Sequence, residues 1–172
     1  LEQTPQRARE LLDAVGFAFL FAPAFHPAMR HVAPVRKALG VRTLFNLLGP
    51  LANPARAEVQ LVGVWAPELT GVVAEALRQL GSERALVVHC GGVDEVGLHT
   101  RTTAHRVRDD RVVPFPLDAQ DLGLARQELA ALAGGGDAAT NARLLREALG
   151  GRAGAQSDVV AANAGVALWL AD

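Results

Sequence analysis

The chain has 172 residues, half of them apolar, which is enough for one α/β domain with a sizeable core. Its formal net charge is −1, so no global field attracts nucleic acid or an anionic membrane, and any anion site has to be local. The single cysteine, Cys90, excludes an intrachain disulfide and suits a reducing cytoplasm. No apolar run approaches the roughly 18 residues of a membrane span, and no basic-then-apolar leader opens the chain.

Position 1 is Leu and the only methionine is Met29, which reads as a processed protein or a piece of a longer one. The first helix starts at Thr4-Pro5, with Thr as N-cap and Pro at the first helical position, and Gly16 closes it. Phe17 to Ala22 is a short continuous apolar run, expected as a buried strand. Pro23 to Pro27 is expected to be irregular, because each proline constrains the residue before it. Ala28 to Leu39 is helical in composition but contains Pro34, so the helix kinks there or a fresh one begins with Pro34 near its start. Thr43 to Leu48 is a short helix ended by Gly49-Pro50.

Val59 to Trp65 and Ala85 to His89 read as buried strands on either side of a helix opened by Pro67 and stopped by Gly81. Strand, helix, strand in this order predicts a parallel pair and a mostly parallel sheet with flanking helices. Around Asp109-Asp110, His105 to Arg108 and Arg111 to Phe115 predict a hairpin, although Asp-Asp is weaker turn chemistry than Asp-Gly. Helices are expected at Leu122 to Leu132, Ala138 to Leu149 and Asp158 to Leu170, with Gly134 to Gly136 as a link. The last apolar stretch has no Gly or Pro stop, so the chain reads as truncated at both ends.

Few residues stand out chemically. If Pro34 opens a helix, Arg36 lies in the first turn, where the macrodipole disfavours a cation; a carboxylate or phosphate docking there explains it, and so does projection into solvent or a distant acidic partner. His26 lies in a proline-fixed loop just beyond an expected strand, placed to orient a substrate or handle a proton, or to bond loop backbone. Asp94-Glu95 follows the carboxyl end of a strand after Gly91-Gly92, a pairing suited to Mg2+ and equally common on plain surface loops. Asn163 falls on an apolar helix face and reads as a satisfied buried amide. The arginines at 101, 106, 108 and 111 have no interleaved aromatics and read as a solvated face. His31, His89, His99 and His105 lack the spacing of a zinc site.

The run from Phe19 through Ala22-Pro23-Ala24-Phe25-His26-Pro27 to Val35-Arg36 resembles the anthranilate phosphoribosyltransferases. The likeness continues from Leu39 through Asn46-Leu47-Leu48-Gly49-Pro50 to Asn53-Pro54. Val88 to Glu95 is similar to the same family's glycine-rich Asp-Glu loop, with Cys90 where a glycine is usual and Val93 where Leu is common. Gly135 to Asn141 and Asn163-Ala164 are similar to its C-terminal helices. The resemblance implies the larger C-terminal domain of a phosphoribosyltransferase/nucleoside-phosphorylase-like fold. It further implies a single α/β domain over 1–172, in which the helices of 28–55 pack toward an upstream helical domain.

As activity, the resemblance implies transfer of a phosphoribosyl group from phosphoribosyl pyrophosphate (PRPP) to the amine of anthranilate, releasing pyrophosphate, in tryptophan biosynthesis. It makes Arg36 the partner of the anthranilate carboxylate, sets His26, Gly49 and Pro50 near the aromatic acceptor, and makes Asp94 and Glu95 the Mg2+ ligands. No general base is assigned. The family's Gly-Thr-Gly-Gly-Asp and Lys-His-Gly-Asn-Arg segments do not occur in the chain and are expected upstream. A homodimer is implied for the whole protein, with no nucleic-acid or membrane partner. The alternatives are a pyrimidine nucleoside phosphorylase-like enzyme and a non-catalytic, nucleic-acid-binding relative.

Overall fold

The computed structural model describes residues 3–26, 29–41, 43, 45–53 and 55–172. The chain divides into two compact units, 1–56 and 57–172.

The first unit is helical. α1 (Pro5–Val15) begins where Thr4 accepts the Arg7 N–H on its hydroxyl at 3.1 Å and ends at Gly16, whose φ of 71° is the left-handed cap that glycine adopts without strain. Phe17 to Phe21 is not a strand. The segment has no ladder partner among the described residues, and Phe17, Phe19, Leu20 and Phe21 are exposed. Nor is the proline-bounded loop wholly irregular, since Ala22–Phe25 forms one helical turn, α2, with Pro23 in its first positions where its missing N–H costs nothing. α3 (Met29–Leu39) runs through Pro34 without restarting, and α4 (Phe45–Leu51) takes in Gly49 and Pro50 instead of ending before them. Pro27, Ala28, Arg42, Leu44 and Pro54 of the family-like run lie outside the described residues.

The second unit is a four-stranded sheet between helices. β1 (Val59–Gly63) pairs in parallel with β2 (Arg84–His89), joined by α5 (Leu69–Gln79), with Val59 opposite Arg84 and Gly63 opposite Val88. β2 pairs antiparallel with β3 (Thr103–Arg108), and β3 with β4 (Arg111–Pro114), in the order β1-β2-β3-β4. The sheet is therefore mixed, one parallel pair and two antiparallel, because the hairpin supplies half of its strands.

Helices cover both faces of β2, and every residue from Ala85 to His89 is buried, as a central strand requires. On one face α5 sets Thr70, Val73, Ala74 and Leu77 inward. On the other, Leu86, Val88 and Ala104 pack with Ala162, Val166 and Leu170 of α7 (Ala155–Ala171). The helix expected over Leu122 to Leu132 is replaced by two 3₁₀ turns, Ala119–Leu122 and Leu129–Leu132. Gly123 stops the first with a φ of 70° before a helical repeat can build up. α6 (Ala138–Leu149) starts at Asp137, which accepts the Thr140 N–H. Among the described residues no helix is long and apolar enough to cross a membrane.

Candidate functional site

The sequence-predicted residues divide between the units. His26 caps the end of α2, donating its backbone N–H to the Ala22 carbonyl at 3.0 Å. Gly49 and Pro50 lie half-buried within α4. Arg36 falls in the last turn of α3, and its side chain lies outside the described residues. That position removes the dipole argument for an anion beside it. A cation near a helix C-terminus is favoured without any ligand, so the role of Arg36 rests on resemblance alone.

In the second unit, Asp94 and Glu95 stand together at the carboxyl end of β2, on a loop whose backbone is closely specified. Cys90 and Val93 exchange both backbone hydrogen bonds, at 2.9 and 3.0 Å, around Gly91-Gly92. These two glycines have φ of 46° and 96°, which a side chain would strain. His89 is buried below the turn. Its Nδ1 lies 2.9 Å from the Val64 carbonyl, and its Nε2 accepts the Gly92 N–H at 3.2 Å. Beyond the carboxylates, Val96 is held by Asn163 of α7. The amide oxygen accepts the Val96 N–H at 3.0 Å, and the amide nitrogen donates to the carbonyls of Val96 and Val159 at 2.9 Å each. Asn163 is thus the satisfied amide that the sequence predicts, with a particular client.

Gly63 closes the arrangement from β1. A Cβ on it would fall inside the Asp94 carbonyl group, so only glycine lets the strand end and the carboxylate loop approach this closely. A cavity of about 370 Å3 lies alongside, walled by Leu61, Gly63, Val88, Val159 and Val160, with Asp94, Glu95 and Asn163 completing its lining. Both carboxylates are exposed and make no ion pair among the described residues. Two free carboxylates on a fixed loop fit Mg2+, which takes one or two of them and fills its remaining positions with water and phosphate oxygens. Among the described residues no cluster of three or more acidic, His or Cys side chains offers a complete protein cage, so any such ion would share its shell with a ligand. Cys90 is buried beside this loop and donates its thiol to the Thr100 carbonyl at 3.3 Å.

The pattern of the glycosyl transferase family, a/b domain, matches residues 1–172. The chain belongs to this family. It is 50% identical over 172 residues to an anthranilate phosphoribosyltransferase from Sorangium cellulosum (strain So ce56), covering 99% of this chain and 49% of that protein. The crystal structure of anthranilate phosphoribosyltransferase from Thermus thermophilus is 47% identical with a TM-score of 0.89, over 98% of this chain and 50% of that one. The Saccharomyces cerevisiae enzyme in complex with PRPP and Mg is 32% identical with a TM-score of 0.84, over 98% and 49%. The chain thus spans about half the length of the relatives it matches.

Three residues that organise the site escaped the sequence reading. His89 ends β2 one residue before Cys90 opens the Gly-Gly turn, a position that ties a loop to its strand. Gly63 is an isolated glycine in a strand pattern, the usual sign of close backbone approach. Val64 offers only a carbonyl and left no signal to find.

Proposed function

We propose that the whole protein transfers the phosphoribosyl group of PRPP to the amine of anthranilate, releasing pyrophosphate, as a step of tryptophan biosynthesis. The observation that carries this reading is the Asp94-Glu95 pair, unpaired and presented by a locked loop, in a chain about half-identical to a relative of that name. Asp94 and Glu95 would hold Mg2+, which supplies positive charge against the departing pyrophosphate. The protein's own contribution is to fix both carboxylates before substrate arrives, so that little reorganisation accompanies the reaction. On the acceptor side, Arg36 pairs with the anthranilate carboxylate, and His26, Gly49 and Pro50 line the aromatic ring; the support for these roles is the resemblance of their sequence run. Positioning and charge carry the transfer, and no general base is assigned.

The same reading makes residues 1–172 part of one α/β domain in a homodimeric protein, with 28–55 packing toward a helical domain outside this chain. The buried, unbridged Cys90 suits a reducing cytoplasm. The near-neutral net charge favours this reading over the nucleic-acid-binding alternative, and the relatives' names favour it over nucleoside phosphorolysis.

The deciding experiment is an Mg2+ titration of the intact enzyme carrying Asp94→Asn with Glu95→Gln. The expected result is a large rise in the Mg2+ needed for half-maximal rate, and an unchanged titration removes the metal assignment. On the acceptor side, Arg36→Ala is expected to raise the anthranilate KM well above any change in the PRPP KM. Equal losses for both substrates would sink the carboxylate role.

A further inference from the structure

The carboxylate loop is fastened at both ends by side chains that bond its backbone. At the near end, His89 spans two backbone groups of opposite character. The Val64 carbonyl can only accept, so Nδ1 carries the proton; the Gly92 N–H can only donate, so Nε2 is bare. One neutral imidazole thereby ties the residue following β1 to the second glycine of the turn. At the far end, Asn163 reads Val96 as an amide reads a strand partner, accepting its N–H and donating to its C=O. A third bond, from Asn163 to the Val159 carbonyl one turn earlier in α7, fixes the rotamer that makes this possible. Between these two clamps lie Val93, Asp94 and Glu95.

We propose that His89 and Asn163 are positioning residues that hold Asp94 and Glu95 in one geometry in the absence of metal. The proposal rests on the metal role assigned to those carboxylates above. The physical need is plain. Adjacent carboxylates repel, and a loop free to separate them would do so whenever no cation is bound. Gathering them then draws on the binding energy of the ion. The hydrogen bonds of both clamps go to backbone groups and not to the carboxylates, so each acts through the backbone. Outer partners of this kind typically change metal affinity about 10- to 100-fold when removed.

The test uses the full-length enzyme and four variants: His89→Phe, His89→Gln, Asn163→Leu and Glu95→Gln. Phe fills the imidazole space without bonds, Gln retains one donor and one acceptor, and Leu matches the shape of Asn. Two quantities are measured, the Mg2+ midpoint at saturating substrates and amide hydrogen exchange at Gly92 and Val96 without metal. The expected result is a midpoint raised about 10-fold in His89→Phe and Asn163→Leu, with the anthranilate KM changed less than about twofold. Exchange should quicken at Gly92 in the first and at Val96 in the second, and His89→Gln should recover most of both signals. A merely structural role would lower the melting temperature and the active fraction while leaving the midpoint where it was, and that outcome overturns the proposal. Unchanged exchange at both amides does so too. If Glu95→Gln shifts the midpoint and the clamp variants do not, positioning alone fails. If Glu95→Gln leaves it unmoved, the metal reading fails and the proposal falls with it.

Discussion

At Gly63 there is no room for a side chain, and the obstacle is backbone, which cannot rotate away as a flexible side chain can. Gly63→Ala is therefore expected to destabilise the chain by about 2–3 kcal/mol, within the usual cost of overpacking, and to displace Asp94. Urea unfolding measures the first effect; loss of less than about 0.5 kcal/mol would mean the strand end can retreat. The residues of this site differ in how they reveal themselves. Asp94 and Glu95 are neighbours in the chain, so their pairing is visible in any reading of it. His89 meets Val64 across 25 positions and Asn163 meets Val96 across 67, and no local period encodes such pairs. Arg36 shows the converse problem. A first-turn place for Arg36 requires a helix that begins at Pro34, and α3 instead continues through Pro34, which has no N–H to give to the preceding turn.

The β3–β4 hairpin turns on Asp109 and Asp110, both with positive φ, at 51° and 54°, which is the type I′ conformation that Asn-Gly adopts with least strain. Asp109→Gly is expected to stabilise the chain by about 0.5–1 kcal/mol, measured as a higher melting temperature. Asp110→Gly should gain less, because Asp110 accepts from Arg78 of α5 at 2.6 Å. Arg78 also clasps Glu75, and hydrogen bonds from Arg78 and then Gln79 hold the Glu75 carboxyl down to about 2 from its ordinary 4.5. Because the folded value is depressed, this contribution is fully present above pH about 4.5 and is lost as pH falls through about 2. The stability difference between wild type and Glu75→Gln should follow that window, and a difference constant from pH 2 to 6 would contradict it. Elements with their own punctuation were legible: α1 by Thr4 and Gly16, α6 by the glycine link Gly134 to Gly136 before it, the hairpin by its acidic turn. Phe17 to Phe21 was not, because a short apolar run carries no period. A strand also needs a neighbour that sequence alone does not name.

Across the whole chain, burial is concentrated in residues 57–172. The core cluster lies entirely there, whereas Ala8 is the one buried residue described in 1–56. Native-state hydrogen exchange of the isolated chain should therefore be slowest in β2, β3 and α7 and fast throughout 1–56, since protection follows buried contacts. The relatives are about twice as long, and the glycine run Gly134 to Gly136 of this chain passes from a 3₁₀ turn into α6 with no strand before it, unlike a strand-to-helix phosphate loop. Two carboxylates with a divalent ion bring no surplus positive charge to hold a pyrophosphate. The chain 1–172 alone is thus expected to release no pyrophosphate from PRPP and anthranilate, and measurable turnover would show that the cradle lies within it. Exchange offers the sharper contrast. If 28–55 packs toward a helical domain of the whole protein, as proposed, amides of α3 and α4 should slow markedly in the intact enzyme while those of β2 stay as they were. Equal exchange in both forms would leave the exposed Val35 and Leu39 without a partner there and overturn that packing.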